Sequence, residues 1–173
     1  MPDPEITLVR ADASRKLEFL EMAEEFLAHG DERFKPLIDD PKAYFERLER
    51  FHTGTGLEPG NVPSTLFLLE RGGRIIGQSA LRHELNDNLR TEGGHIGYSV
   101  RPGERQKGYG TLILKLTMEE ARKIGLTRVL ITCDTDNIGS MRIIENNGGV
   151  LESQGTSKIS GKMIDRYWIE ISA

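Results

Sequence analysis

The sequence has a single cysteine among its 173 residues, Cys133. One cysteine cannot form an internal disulfide, so a reducing, cytoplasmic setting is expected. No stretch approaches the roughly 20 apolar residues that span a bilayer. The opening Met-Pro-Asp-Pro-Glu lacks the basic and apolar regions of a signal peptide. A membrane is therefore not an expected partner. Positive charge is not in excess either: 23 Lys and Arg face 27 Asp and Glu, a formal net charge of −4. General nucleic-acid binding needs a basic face against the phosphates, and the overall charge supplies none. No internal repeat or low-complexity segment interrupts the chain. Its 37% hydrophobic and 29% charged residues are ordinary globular values. The length suits one domain, 1–173, able to bury a core without a metal.

The most informative stretch is Arg105-Gln106-Lys107-Gly108-Tyr109-Gly110. It lies between a strand-like run, Ile96 to Val100, and a helix-like run beginning near Thr111. A glycine-rich turn in that position aims backbone N–H groups at an anion. A phosphate-gripping P-loop is excluded, because Gly110 is followed by Thr111, Leu112 and Ile113 rather than by Lys and Ser or Thr. A dinucleotide fingerprint would need a small third residue where Ile113 stands, and an acidic residue about 20 positions on. Arg101, Arg105 and Lys107 concentrate positive charge around the turn, with Glu104 among them. They read either as a solvated turn or as anion ligands.

Elsewhere, periodicity and breakers set the order of elements. Glu5 to Val9 reads as a strand. Asp12 or Ser14 then caps a helix whose apolar series is Leu17, Leu20, Ala23 and Leu27. Asp40 and Pro41 announce a second helix carrying Tyr44, Phe45, Leu48 and Phe51. Thr53 to Ser64 is a long connection. Thr65 to Glu70 and Arg74 to Leu85 form a hairpin across Arg71-Gly72-Gly73, and Glu92 to Val100 is the next strand. The helix after the glycine turn places Ile113, Leu116, Ala121 and Ile124 inward and pairs Glu119 with Lys123. Arg128 to Cys133 is a buried strand, Asn137 to Asn147 a short helix, and Val150 to Ser153 and Met163 to Ile171 are closing strands. The unit from Ile96 to Cys133 is a crossover whose two strands are expected to be parallel.

This order, with His95-Ile-Gly-Tyr-Ser-Val100, the Arg105 to Gly110 turn and Asn137-Ile-Gly-Ser140 leading a helix, resembles the GCN5-related N-acetyltransferase (GNAT) superfamily. Within it, the chain is similar to bacterial predicted acetyltransferases with GYSVRP and NIGS segments. The match is strongest over residues 65 to 155. The resemblance implies an α/β (α+β) fold, with a mixed, mostly antiparallel sheet flanked by helices around a strand, glycine turn, helix and strand. It implies acetyl-CoA as cosubstrate, with no metal, and direct transfer of the acetyl group to a primary amine. The pyrophosphate would meet the backbone of Arg105, Gln106, Lys107, Gly108, Tyr109, Gly110 and Thr111. The pantetheine arm would run beside Tyr98, Ser99 and Val100, with Asn137 and Ser140 on its other side. Val100 N–H is the implied oxyanion donor. The first two helices and residues 53 to 64 would line the acceptor pocket, and a homodimer is a possible assembly.

The chain departs from the family pattern at the proton chemistry. Ile144 occupies the position of the usual Tyr acid. Gly94 and Thr132 stand where family members carry a carboxylate base. Glu92, which shares the strand parity of Gly94, and His95, which titrates near neutral pH, are the candidate bases. Each has a plain alternative, as a solvated strand-end charge and a packed histidine. His83 and Asn86 are weaker candidates. Cys133, with no base in the sequence nearby, reads as a small buried hydrophobe. These departures keep open a non-catalytic acyl-CoA-binding module, and beyond it a protein that uses the turn for ATP.

Overall fold

A computed structural model describes residues 5–171; the opening Met-Pro-Asp-Pro lies outside them. Strand β1 (Ile6–Arg10) leads through a single 3-10 turn at Ala13–Arg15 to α1 (Lys16–Ala28), α2 (Lys35–Asp39) and α3 (Pro41–Thr53). The hairpin of β2 (Ser64–Arg71) and β3 (Arg74–Arg82) precedes α4 (Asp87–Thr91) and β4 (Ile96–Val100). Then come α5 (Tyr109–Lys123), β5 (Arg128–Asp134), α6 (Ile138–Asn146), β6 (Val150–Thr156) and β7 (Met163–Glu170).

The strands form two antiparallel sheets, ordered β1-β2-β3-β4 and β5-β7-β6. The crossover from β4 through α5 to β5 is present, but the expected parallel ladder between its two strands is not. Among the described residues, the backbone link is a bond just ahead of β4, from His95 N–H to the Leu130 carbonyl (2.7 Å). Gly93 and Gly94 explain why β4 is shorter than the Glu92 to Val100 strand read from sequence. Their φ values of 110° and 60° belong to the left-handed region and break the extended run. Asn86 to Arg90, which reads from the sequence as a second turn region, instead coils into α4, with the Asn86 side chain accepting from Leu89 N–H (3.0 Å).

One face of the four-stranded sheet packs on α1, α2 and α3 through Phe19, Met22, Phe26, Phe34, Leu37 and Leu68. The apolar stripe of α1 is therefore Phe19, Met22, Ala23 and Phe26, all buried, and the expected phase was wrong: Leu17 is 76% exposed. The aromatic rings decide the phase, since Phe19 and Phe26 meet Phe34 edge-on with centroids 5.4 and 5.1 Å apart. The opposite face packs on α5 through Leu81, Ile96, Leu114 and Ala121, joined by Ile144 of α6 and by β5 and β7. On α5, Ile124 is exposed rather than inward, and Lys123 pairs with Glu120 rather than Glu119. Asp40 and Pro41 start α3 as read, with Asp40 accepting from Ala43 N–H (3.0 Å).

Candidate active site

The site begins with two backbone features. The chain between β4 and α5 enters the left-handed region at Gln106 (φ 62°) and Gly108 (φ 83°). No side chain caps α5. Its first N–H groups, from Tyr109 to Thr111, consequently have no helical acceptor and carry the positive end of the helix dipole. The two glycines serve different purposes. A Cβ on Gly108 would meet nothing within 4 Å, so that glycine is needed for its φ. A Cβ on Gly110 would run into Ile143 Cδ1, so that one is needed for α6 to pack against α5.

The second feature is the outer edge of β4. Ladder bonds from Arg82 N–H to the His95 carbonyl and from Arg101 N–H to the Ile76 carbonyl fix the alternation along the strand. Tyr98 and Val100 fall between the bonded positions, so their N–H groups face away from β3. They point along the edge that β5 does not cover.

Both features border one cavity of about 550 Å³. Tyr98, Ser99 and Val100 line it from β4, and Arg105, Gln106, Gly108, Tyr109, Gly110 and Thr111 from the turn and α5. Asn137, Gly139, Ser140 and Ile143 close it from α6. Asn137 is also the α6 cap, accepting from Ser140 N–H (3.0 Å), while it lines the cavity. Ser140 Oγ lies 2.8 Å from the Tyr98 hydroxyl. Burial pushes the Tyr98 phenol up to about 12, against the lowering effect of that hydrogen bond, so it stays protonated at neutral pH.

The cation cluster divides. Arg105 lines the cavity, and its guanidinium sits over the Phe26 ring at 5.8 Å. Arg33 lies over Phe26 at 5.3 Å and also lines the cavity; the sequence reading missed it, because only folding brings the α1–α2 connection to the turn. Lys107, expected at the site, instead bonds Glu104 (2.8 Å). Arg101 turns inward to Glu25 (2.5 Å) and Glu21 (2.8 Å). It anchors the turn rather than offering charge to a ligand.

Neither candidate base lines this cavity. His95 is 6% exposed, its Nδ1 accepts from Leu130 N–H (2.9 Å), and its ring lies against Trp168. Burial, with the charges of Arg90, Arg82 and Arg128, holds its pKa down to about 4. Glu92 accepts from the Ser157 hydroxyl (2.7 Å). The two residues therefore have structural partners between the sheets: His95 bonds Leu130 of β5 just ahead of β4, and Glu92 ties the same segment to the β6–β7 turn. Cys133 is buried, and burial with the nearby Asp165 charge pushes its thiol up to about 11. Ile144 is fully buried in the core.

Comparison with known proteins agrees with this geometry. Residues 10–150 match the family model described as an acetyltransferase (GNAT) domain. Curated protein sequences give no match. Among solved structures, yncA from Salmonella typhimurium with acetyl-CoA is 17% identical, with TM-score 0.62 and coverage of 96% of this chain and 94% of that one. The Salmonella typhimurium acetyltransferase that modifies the N-terminal serine of ribosomal protein L7/L12 is 15% identical, with TM-score 0.72 and 99% and 97% covered. The ribosomal-protein-S5-alanine acetyltransferase of Vibrio fischeri is 14% identical, with TM-score 0.73 and 96% and 93% covered. These likenesses describe the fold.

Proposed function

The chain belongs to the GNAT acetyltransferase domain family, and from that premise we propose that it transfers an acetyl group from acetyl-CoA directly to a primary amine. The observation that carries the reading is the shared cavity of the uncapped α5 N-terminus and the uncovered β4 edge. A linear ligand with an anionic group at one end and amides along its length suits both. The N–H groups of Tyr109 to Thr111, with Arg33 and Arg105, favour the phosphates. Tyr98 and Val100 offer backbone partners to the amides of the arm.

When bound, acetyl-CoA supplies a thioester carbonyl open to amine attack. The protein must then hold the developing oxyanion and give the departing sulfur a proton. A β4 N–H, that of Val100, serves the first need. The Tyr98–Ser140 hydroxyl pair serves the second: one of its two protons lies between the oxygens, 2.8 Å apart, and the other is the one to be donated into the cavity. This pair does the work of the tyrosine that Ile144 replaces. Among the described residues no carboxylate or imidazole lines the cavity, so the amine reacts from its neutral fraction, and water carries its proton away and restores the one the hydroxyl pair gives up.

Calorimetric titration with acetyl-CoA, followed by thiol release with an amine panel, tests the proposal. Binding in the micromolar range and amine-dependent thiol release are expected. No acetyl-CoA binding would overturn it, and binding without thiol release would favour a non-catalytic acyl-CoA-binding module.

A further inference from the structure

A second cavity, of about 300 Å³, lies on the other face of the sheet, where α3, the 56–63 connection, β3 and α4 converge. Ala80 and Arg82 line it from β3, Phe51 from α3, and Asn61 from the connection. Ala80 is the cross-strand partner of Gly97 on β4, so their side-chain positions share a face. A Cβ on Gly97 would meet nothing within 4 Å. Beside Ala80, β4 is thus unobstructed at Gly97, one residue before Tyr98, where the lining of the larger cavity begins.

The charge of this second cavity is one-sided. Arg82 is its one charged lining residue. Arg82 Nη1 donates to the Gly93 and Gly94 carbonyls (3.0 Å each), and no carboxylate among the described residues pairs with it. Burial pushes its pKa down, as expected for a cation lacking a counter-charge. A neighbouring cavity of about 310 Å³ shares Phe51 and Asn61 and adds Arg47, Arg50 and Glu58. Arg47 and Arg50 are exposed on α3. The two linings together hold three guanidiniums and one carboxylate, with Arg82 Nη1 on the Gly93 and Gly94 carbonyls and Arg47 over the Phe51 ring at 5.7 Å.

We infer that this groove is the acceptor site, that Gly97 is the passage to the reacting carbonyl, and that the acceptor is an amine carrying carboxylates, best met by the N-terminal segment of an acidic peptide. Guanidinium groups pair with carboxylates in a planar, two-bond geometry that an ammonium-rich acceptor cannot use. Polyamines and other polycations would meet repulsion from Arg82, Arg47 and Arg50. The second cavity gives room beyond one amino acid, and so favours a peptide over a free one. This inference rests on the acetyl-transfer reading.

The test measures kcat/KM for four acceptors: a peptide with a free α-amine followed by Asp and Glu, free aspartate, a Lys- and Arg-rich peptide, and spermidine. The acidic peptide is expected to lead. Arg82→Gln is expected to raise its KM at least about tenfold with a smaller change in kcat, and Arg82→Lys to recover part of that loss. Arg50→Glu, at an exposed position that leaves the fold intact, is expected to shift preference toward the basic peptide. Gly97→Ala is expected to lower amine turnover by about 100-fold while leaving acetyl-CoA affinity unchanged.

Preference for spermidine or the basic peptide would overturn the inference, as would unchanged acidic-peptide KM in both Arg82→Gln and Arg50→Glu. Equal rates for aspartate and the acidic peptide would overturn its extension to peptides. Anisotropy of the acidic peptide, labelled at its C-terminus, separates the two proposals. Acetyl-CoA binding without peptide binding defeats this inference alone, and peptide binding without acetyl-CoA binding defeats the transfer reading alone.

Discussion

Replacing Glu25 by alanine should cost more stability than replacing Glu21, although both carboxylates bond the same arginine. The Arg101 side chain is 4% exposed, that of Glu25 21% and that of Glu21 62%. Glu25 also accepts from Gly103 N–H (2.7 Å), so its loss leaves a buried guanidinium and a backbone donor poorly paired at once. Breaking a fully buried pair from one side costs about 3–5 kcal/mol; the partial exposure of Glu25 places Glu25→Ala near the lower end, about 3 kcal/mol. Solvent screening should hold Glu21→Ala below about 1 kcal/mol. At this chain length the first change lowers Tm by about 6–12 °C and the second by less than about 4 °C, read by thermal denaturation at pH 7. Burial pushes the Glu25 carboxyl up, but Gly103 N–H and then Arg101 outweigh it, and the net effect lowers its pKa from the ordinary 4.5. Its stabilisation is therefore present above the unfolded value of 4.5 and lost as pH falls from there through the lower folded one, so the gap between wild type and variant should shrink as the medium is acidified below pH 4.5. Equal Tm shifts for the two variants, or a gap that widens in acid, would refute the reasoning.

Three further outcomes follow from the site and the seam between the sheets. Tyr98→Phe and Ser140→Ala should each lower kcat by about 10- to 100-fold with little change in acetyl-CoA affinity; unchanged kcat in both, in a stopped thiol assay, would remove the hydroxyl pair from the mechanism. His95, held neutral with a pKa of about 4, should make the fold lose about 3 kcal/mol as pH falls from 6.5 to 4, because the unfolded chain takes up the proton first. Urea midpoints for wild type and His95→Gln should show that slope in the wild type only. Ile144→Tyr should restore no activity and should destabilise by about 1–3 kcal/mol through overpacking, since Ile144 is fully enclosed; enhanced turnover in this variant would contradict the assignment of Ser140 and Tyr98.

What the sequence made legible was local. The glycine turn, the cap at Asp40 and the order of strands follow from residues within a few positions of one another, and they located the backbone that lines the cavity. Non-local facts were hidden. The stripe of α1 depended on which aromatic rings meet across helices, and Arg33 reaches the site only after α1 and α2 have packed. Glu92 and His95 were judged by strand parity, but Gly93 and Gly94 end the strand before parity applies. The Tyr98–Ser140 pair spans 42 positions and carries no local signal.

The bond from His95 N–H to the Leu130 carbonyl, returned by Leu130 N–H to His95 Nδ1, joins the two sheets at one end, and the Tyr98–Ser140 hydroxyl pair joins β4 to α6 further along. A ligand lying along the β4 edge would act as a removable strand, lending the wedge the backbone partners that its own chain does not provide. Occupancy and rigidity would then be one equilibrium. Slow amide exchange at Tyr98 and Val100 would report the loaded protein, and the two halves would loosen together as product leaves.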